Sequence, residues 1–116
     1  MLLTLYERAI IKIRAAEEAK ALVQMNTFWQ RLIDAQKYIL VIHGGLKTEE
    51  SEVAFNIGRL LHFAMNRLSE HKFDDACKVL ESIRKGFEAI RGEATRLEKQ
   101  GLIPPLEFAG ELNTSV

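Results

Sequence analysis

Proline is missing from the first 103 residues of this chain; its two prolines, Pro104 and Pro105, stand together near the end. Nothing over that length removes an amide donor or clashes with a preceding helical turn, so long helices are permitted. Cysteine is reduced to Cys77 alone. That excludes an internal disulfide and any cysteine-rich zinc or iron–sulfur centre. The three histidines, His43, His62 and His71, are scattered, and no metal or other cofactor is expected. Net charge is also lacking, with 16 Lys and Arg against 16 Asp and Glu. A nucleic-acid binder that works by counterion release carries a basic face, so nucleic acid is not an expected partner. Long apolar runs are absent too. The longest is Tyr38 to Ile42, far short of the roughly 18 residues of a membrane span. The apolar start breaks at Glu7-Arg8, too early for the apolar region of a signal peptide. The expectation is a cytoplasmic protein with no membrane insertion.

What is present is a globular balance: 47% hydrophobic and 28% charged residues in 116, enough for one core. Turn signals at Gln24–Thr27, His43–Thr48 and Ser69–Lys72 cut the chain into four segments of helix length. The first, about Leu2 to Leu22, carries Leu2, Tyr6, Ala9, Ile13 and Ala16 on one stripe, widened by Leu3 and Ile10. The second, about Thr27 to His43, is capped by Asn26 or Thr27 and ended by Gly44-Gly45. Its stripe is Phe28, Trp29, Leu32, Ala35, Gln36, Ile39 and His43, widened by Leu40. The third, about Glu49 to Glu70, is capped by Thr48 or Ser51 and presents Val53, Ile57, Leu60, Ala64 and Leu68, with Phe63 alongside. The fourth, about Asp74 to Gln100, presents Ala76, Leu80, Ile83, Phe87, Ile90, Ala94 and Leu97, with Gly101 just past its end. Gly86 and Gly92 each weaken it by about 1 kcal/mol relative to alanine, a cost that packing of so long a stripe should exceed. No strand pattern or solenoid repeat is visible. Four helices with short connections predict an all-α fold, an antiparallel up-down-up-down four-helix bundle over residues 1–101, followed by an irregular C-terminal tail, 102–116.

Catalytic patterns are thin. His43 with Gly44, Gly45 and Lys47 superficially matches a histidine-phosphotransfer helix. The glycine pair, however, should end the helix at once, and His43 falls on the apolar stripe rather than in solvent. The alternative readings are a phosphotransfer domain using His43 or His62, and a helical adaptor with another protein client. Arg67 and His71, four apart, have the spacing of some helical ribonuclease pairs but read as a solvated face. The carboxylate pairs Glu17-Glu18 and Glu49-Glu50 are sequence neighbours whose side chains diverge on a helix. Neither belongs to a Glu-x-x-His pattern, so no di-iron site is expected. Cys77 reads as a small buried hydrophobe. No phosphate-binding loop or Ser/His/Asp logic is present, and no enzymatic activity is expected.

Two features remain. Gln36 and Asn56 lie among apolar residues, where a buried amide needs a hydrogen-bonding partner; both are expected to fix the register between helices. Ile11, Tyr38, Val41, Phe55, Leu61 and Met65 lie off the principal stripes, as the lining of a partner groove would.

The run Leu5-Tyr6-Glu7-Arg8-Ala9-Ile10 leads on to Ala16-Glu17-Glu18-Ala19. It is followed by Ala35-Gln36, then by Glu52-Val53-Ala54, Asn56-Ile57, Leu60, Phe63 and Arg67-Leu68. In order and spacing this series resembles the flagellin-specific export chaperone FliS family, over residues 2 to about 98. The chain departs from that pattern in three ways. Arg8 stands where the family has glycine, and Leu61 and Met65 stand where it has tyrosines. Met1 falls inside the first helix, without the family's Ser-Pro-bearing extension, as in an N-terminally short or diverged member. The resemblance implies a non-enzymatic chaperone, monomeric or weakly dimeric. Its partners would be the disordered C-terminal segment of flagellin and a component of the flagellar export gate. It would prevent premature polymerisation and deliver its client to the type III export apparatus. Client contacts are then expected at Leu3, Ile10, Ile11, Tyr38, Val41, Phe55, Leu61 and Met65.

Overall fold

The computed structural model describes residues 2–106, except for the side chains of Leu2, Leu3 and Phe87. Among these residues the chain is all-helical: α1 (Leu2–Ala21), α2 (Met25–Gly44), α3 (Glu52–Ser69), α4 (Phe73–Lys85) and α5 (Phe87–Lys99). Helix α1 packs along α2 and against α4. Helix α3 packs against α4 and α5, and meets α2 more sparingly.

Three of the helix ends share one device. After α1, the Gln24 amide donates to the Ala19 carbonyl (2.8 Å) and the Val23 amide to that of Lys20 (3.0 Å). After α3, Lys72 donates to Arg67 (2.8 Å) and His71 to Leu68 (3.0 Å). After α5, Leu102 donates to Leu97 (2.9 Å) and Gly101 to Glu98 (3.0 Å). Each pair is a Schellman closure, which needs left-handed backbone at the residue just past the helix. Gly101 supplies it freely at φ 72°, whereas Val23 (φ 58°) and His71 (φ 60°) are held there against their side chains. Helix α2 therefore starts at Met25, directly after this turn, rather than at the expected Asn26 or Thr27 cap. Ser51 does cap α3, accepting from the Ala54 amide at 3.0 Å.

The expected long fourth helix is broken at Gly86. Its φ of 112° and ψ of −169° lie in a region reached essentially by glycine alone. The Gly86 amide donates to Ile83 at 3.3 Å and its carbonyl accepts from Ile90 at 3.1 Å, so one residue closes α4 and opens α5. The bend lets α5 pack on both α3 and α4. The sequence reading treats Gly86 as a weak point within a helix, whereas the chain uses the freedom glycine has beyond helical φ and ψ.

The core is largely the predicted one. Tyr6, Ala9, Ile13 and Ala16 are buried on α1, and Phe28, Leu32, Ala35 and Ile39 on α2. Leu60, Ala64 and Leu68 are buried on α3, Ala76, Leu80 and Ile83 on α4, and Ile90, Ala94 and Leu97 on α5. The stripe predicted on α2 is too wide. Trp29 is 48% and Leu40 58% exposed, Gln36 is half-buried, and His43 is exposed. Helix α2 buries a narrow arc against α1, and its next arc stays in solvent.

Burial pushes the Cys77 thiol from 9.0 up to about 11 and the Tyr6 phenol from 10.0 up to about 12. Both groups are neutral at pH 7. As pH rises past 9 the unfolded chain ionises first, and stability present below that pH is lost progressively towards pH 11–12. Urea midpoints measured from pH 8 to 11 should fall; a flat profile contradicts the burial of both groups. Gly86→Ala should lower the urea midpoint by the equivalent of about 1–3 kcal/mol, whereas in a continuous helix the same change would raise it by about 1 kcal/mol. Val23→Gly should relieve the left-handed valine and stabilise the chain by about 1 kcal/mol.

Candidate functional site: a groove between two helices

Small residues set where the open surface lies. Ala9, Ala16 and Ala19 on α1 and Ala35 on α2 are all buried, and short side chains let two helix backbones come close. Helix α2 thus rests mainly on α1, and a gap remains along its other flank, towards α3. The start of α2 lies by the end of α3, where the Trp29 and His71 rings are 5.9 Å apart. The end of α2 lies by the start of α3, where His43 borders Gly58.

The gap is a groove of about 330 Å³ lined by Ile39, Leu40, His43, Leu61, His62, Met65, Asn66 and Ser69. Its floor is aliphatic and thioether carbon. Its rim carries imidazole, amide and hydroxyl groups, and among the described residues no carboxylate lines it. Around the shoulder of α3 it adjoins a second cavity of about 420 Å³, with which it shares His43, His62 and Asn66. Leu102, Ile103 and Pro104 form part of that cavity's wall. On the α2 bank, Met25, Trp29, Ile33 and Leu40 are 41–58% exposed. Steps of four, four and seven residues keep them on one helix face. Together they make an apolar strip beside the groove.

The second cavity is fixed by Arg59, whose side chain is only 9% exposed. Its guanidinium pairs with the Glu98 carboxylate of α5, donates to Asn56 Oδ1 at 2.5 Å and to the Pro104 carbonyl at 2.6 Å, and lies over the Phe55 ring at 5.7 Å. One cation thus ties α3, α5 and the segment after α5. Ile103, 6% exposed, is buried alongside. Gly58 allows the loop before α3 to close, since a Cβ there would stand 3.1 Å from Thr48 Cγ2.

The expected contact residues are not brought together on one surface. Leu61 is fully buried and forms the groove floor, so it belongs to the core; Met65 is half-buried beside it. Phe55 lines the second cavity. Tyr38 and Val41 lie instead on the α1–α2 seam, in a shallow 340 Å³ pocket with Lys12, Asp34 and Lys37. There Lys12 and Asp34 form an ion pair at 3.8 Å. Ile11 is 63% exposed on α1, while Ile10 packs half-buried against the core. The Leu3 side chain lies outside the described residues. Asn56 is buried, 6% exposed, and its oxygen serves the Arg59 clamp within α3. Gln36 is half-buried, which removes the premise of an enclosed amide fixing register.

The other candidates resolve as follows. His43 reaches solvent, so the argument that it sits in the core fails, although it does occupy the last turn of α2. Arg67 stacks over Phe63 at 4.7 Å and pairs with Glu70 at 3.4 Å. His71 faces Lys20, with Nδ1 and Nζ 3.0 Å apart, within a cluster of Phe28, Trp29 and Phe73 rings. The two are therefore engaged apart. Among the described residues no group of three acidic, histidine or cysteine side chains is placed to hold a metal ion, and no helix is long and apolar enough to cross a membrane.

Sequence reasoning missed Met25, Trp29, Ile33 and Arg59. The four-residue spacing of the first three was a usable signal. A buried arginine has none beyond the Asn56–Arg59 spacing.

Arg59→Met should destabilise the chain by about 3 kcal/mol, because it leaves Glu98 and Asn56 without their partner in a nearly enclosed site. It should also expose the segment around Pro104 to limited proteolysis. An unchanged urea midpoint would show that the clamp contributes nothing net.

No protein-family model matches the chain, and neither the curated proteins nor the solved structures include a match.

Proposed function

We propose that this protein is a non-enzymatic export chaperone of the FliS type, and that it holds the disordered C-terminal segment of flagellin as an amphipathic helix in and beside the α2–α3 groove. In this reading the fold is an antiparallel four-helix bundle whose fourth member is α4 and α5 together, bent at Gly86. The one observation that carries the proposal is the apolar strip of Met25, Trp29, Ile33 and Leu40, which runs beside a groove floored by Leu61 and Met65. The ordered sequence resemblance over the first three helices supports the choice of client.

The chemistry fits that task. Flagellin's terminal segments form coiled coils, and their apolar faces self-associate unless another surface covers them. Helix-in-groove recognition covers such a face with anchors at three- and four-residue spacing. The strip on α2 offers that spacing, and the histidine, asparagine and serine rim can hydrogen-bond a peptide's polar edge. Ordering a disordered segment costs about 2–5 kcal/mol, so the contact must be long and largely apolar. A strip and groove spanning α2 meet that demand without a strong charged field, consistent with the balanced composition. Holding the segment would block premature polymerisation until the client reaches the export gate.

Titration calorimetry with a flagellin C-terminal peptide should give one-to-one binding, with added helicity by circular dichroism. Leu40→Asp should weaken binding at least tenfold without shifting the urea midpoint, since that side chain already faces water. Leu61→Asp should instead unfold the protein. Absence of binding at tens of micromolar by the folded wild type rejects the proposal.

A further inference from the structure

We infer that His43 and His62 together bind a divalent transition-metal ion, Zn²⁺, as a removable staple between α2 and α3. The two histidines come from different helices and stand on one ridge. His43 is in the last turn of α2, and His62 lies in the middle of α3. Both line the groove and both line the cavity beside it, so they belong to the wall that the two hollows share. Gly58 brings them near each other. Having no side chain, it leaves room for His43 Nε2 to lie 4.0 Å from where a Cβ would stand. Steps of four keep Gly58, His62 and Asn66 on one face of α3. A helical side chain also leans over the turn before its own Cα. The His62 ring therefore reaches back towards the place that His43 Nε2 already occupies. Asn66, one turn further on, lines the same two hollows.

The donor set suits such an ion. Among the described residues neither imidazole has a hydrogen-bond or ion-pair partner, whereas His71 is engaged by Lys20 and the Phe73 ring. His43 and His62 are both exposed, so each can change rotamer and aim a ring nitrogen at a shared ion. Imidazole is the commonest protein ligand for zinc, copper and nickel. Zn²⁺ has no geometric preference from its d electrons and takes four ligands, so it tolerates the angle that two helices impose. Two imidazoles leave two positions for the Asn66 amide oxygen and water. The result is an exchangeable site rather than a closed structural centre. Arg59 is the one Lys or Arg on the cavity wall among the described residues, and Glu98 balances its charge. Helix α2 meets α3 only sparingly, so an ion held by both imidazoles joins two helices that otherwise touch little. It would also narrow the gap in which a client helix lies. That consequence rests on the chaperone reading; the metal site itself does not.

The experiment titrates ZnCl₂ into the intact chain at neutral pH by calorimetry. Cys77 is 1% exposed and does not compete in the native protein. One ion should bind per chain. His43→Ala and His62→Ala should each weaken binding about tenfold or more, with circular dichroism unchanged because both side chains face water. His71→Asn, which keeps a residue tolerant of the left-handed turn, should leave binding as it is. Zinc should raise the melting temperature of the wild type, since the unfolded chain has no preformed site, and raise that of neither alanine variant. The imidazole resonances of His43 and His62 should shift together. Binding that survives both alanine substitutions overturns the proposal. So does binding that depends on only one of the two histidines, which would be adventitious. Half an ion per chain with a doubled mass also overturns it, by assigning the metal to a contact between two chains. Zinc should weaken the flagellin peptide's affinity for the wild type but not for His62→Ala; equal affinity with and without zinc contradicts the coupling. If the peptide binds under neither condition, the chaperone reading fails while the calorimetry still decides the metal site.

Discussion

The close packing of α1 on α2 is the constraint from which the rest follows. Alanine at positions 9, 16, 19 and 35, all buried, lets the two backbones approach, and large side chains such as Ile13, Phe28 and Ile39 fill the space between the alanines. Once α2 is committed to α1, its buried arc is narrow. The arc beside it, with Met25, Trp29, Ile33 and Leu40, has no helix of its own to meet. Helix α3 is engaged with α4 and α5 instead, and its α2-facing flank closes the groove only at the floor, through Leu61. An open apolar strip is costly to leave in water, at about 25 cal/mol for each Å². That cost is the physical reason to look for an occupant.

A second organising feature is the use of unusual backbone at connections. Gly86 turns one amphipathic run into two helices, and without that turn α5 would not lie against α3. The Arg59 cluster depends on this placement, since its carboxylate partner, Glu98, is on α5. Breaking the helix therefore gives the buried guanidinium its partner and steers the chain after α5 past the cavity. The left-handed valine and histidine at the other two turns show the same priority: short, fixed connections are kept despite local strain.

Much of this was legible in the residues. The period of Tyr6, Ala9, Ile13 and Ala16, and that of Ala76, Leu80 and Ile83, marked the buried faces correctly, because a helix that must hide one face repeats its apolar residues. The break at Gly86 was not legible, because a mid-helix glycine reads as a small propensity loss unless the packing beyond it is known. The width of the α2 face was misjudged for a related reason. Trp29 and Leu40 extend the apolar arc in sequence, but periodicity cannot tell a face covered by the protein from one left for something else. Leu61 erred the other way: off the main stripe of α3, it is nonetheless fully buried, because a helix with neighbours on two sides buries a wider arc. Arg59 has the sequence signature of a surface residue, and its burial follows only from Glu98, Asn56 and Pro104 converging in space.

The central claim is that the α2–α3 groove and the strip beside it are the surface on which a partner helix folds. Its most direct test is methyl shift mapping of the intact chain during addition of a flagellin C-terminal segment. The account predicts the largest shifts at Met25, Ile33, Leu40 and Met65, with Ala94 on α5 and Val41 on the α1–α2 seam unmoved. Shifts centred on Val41 and its seam, or none in a folded sample at saturating peptide, would contradict it.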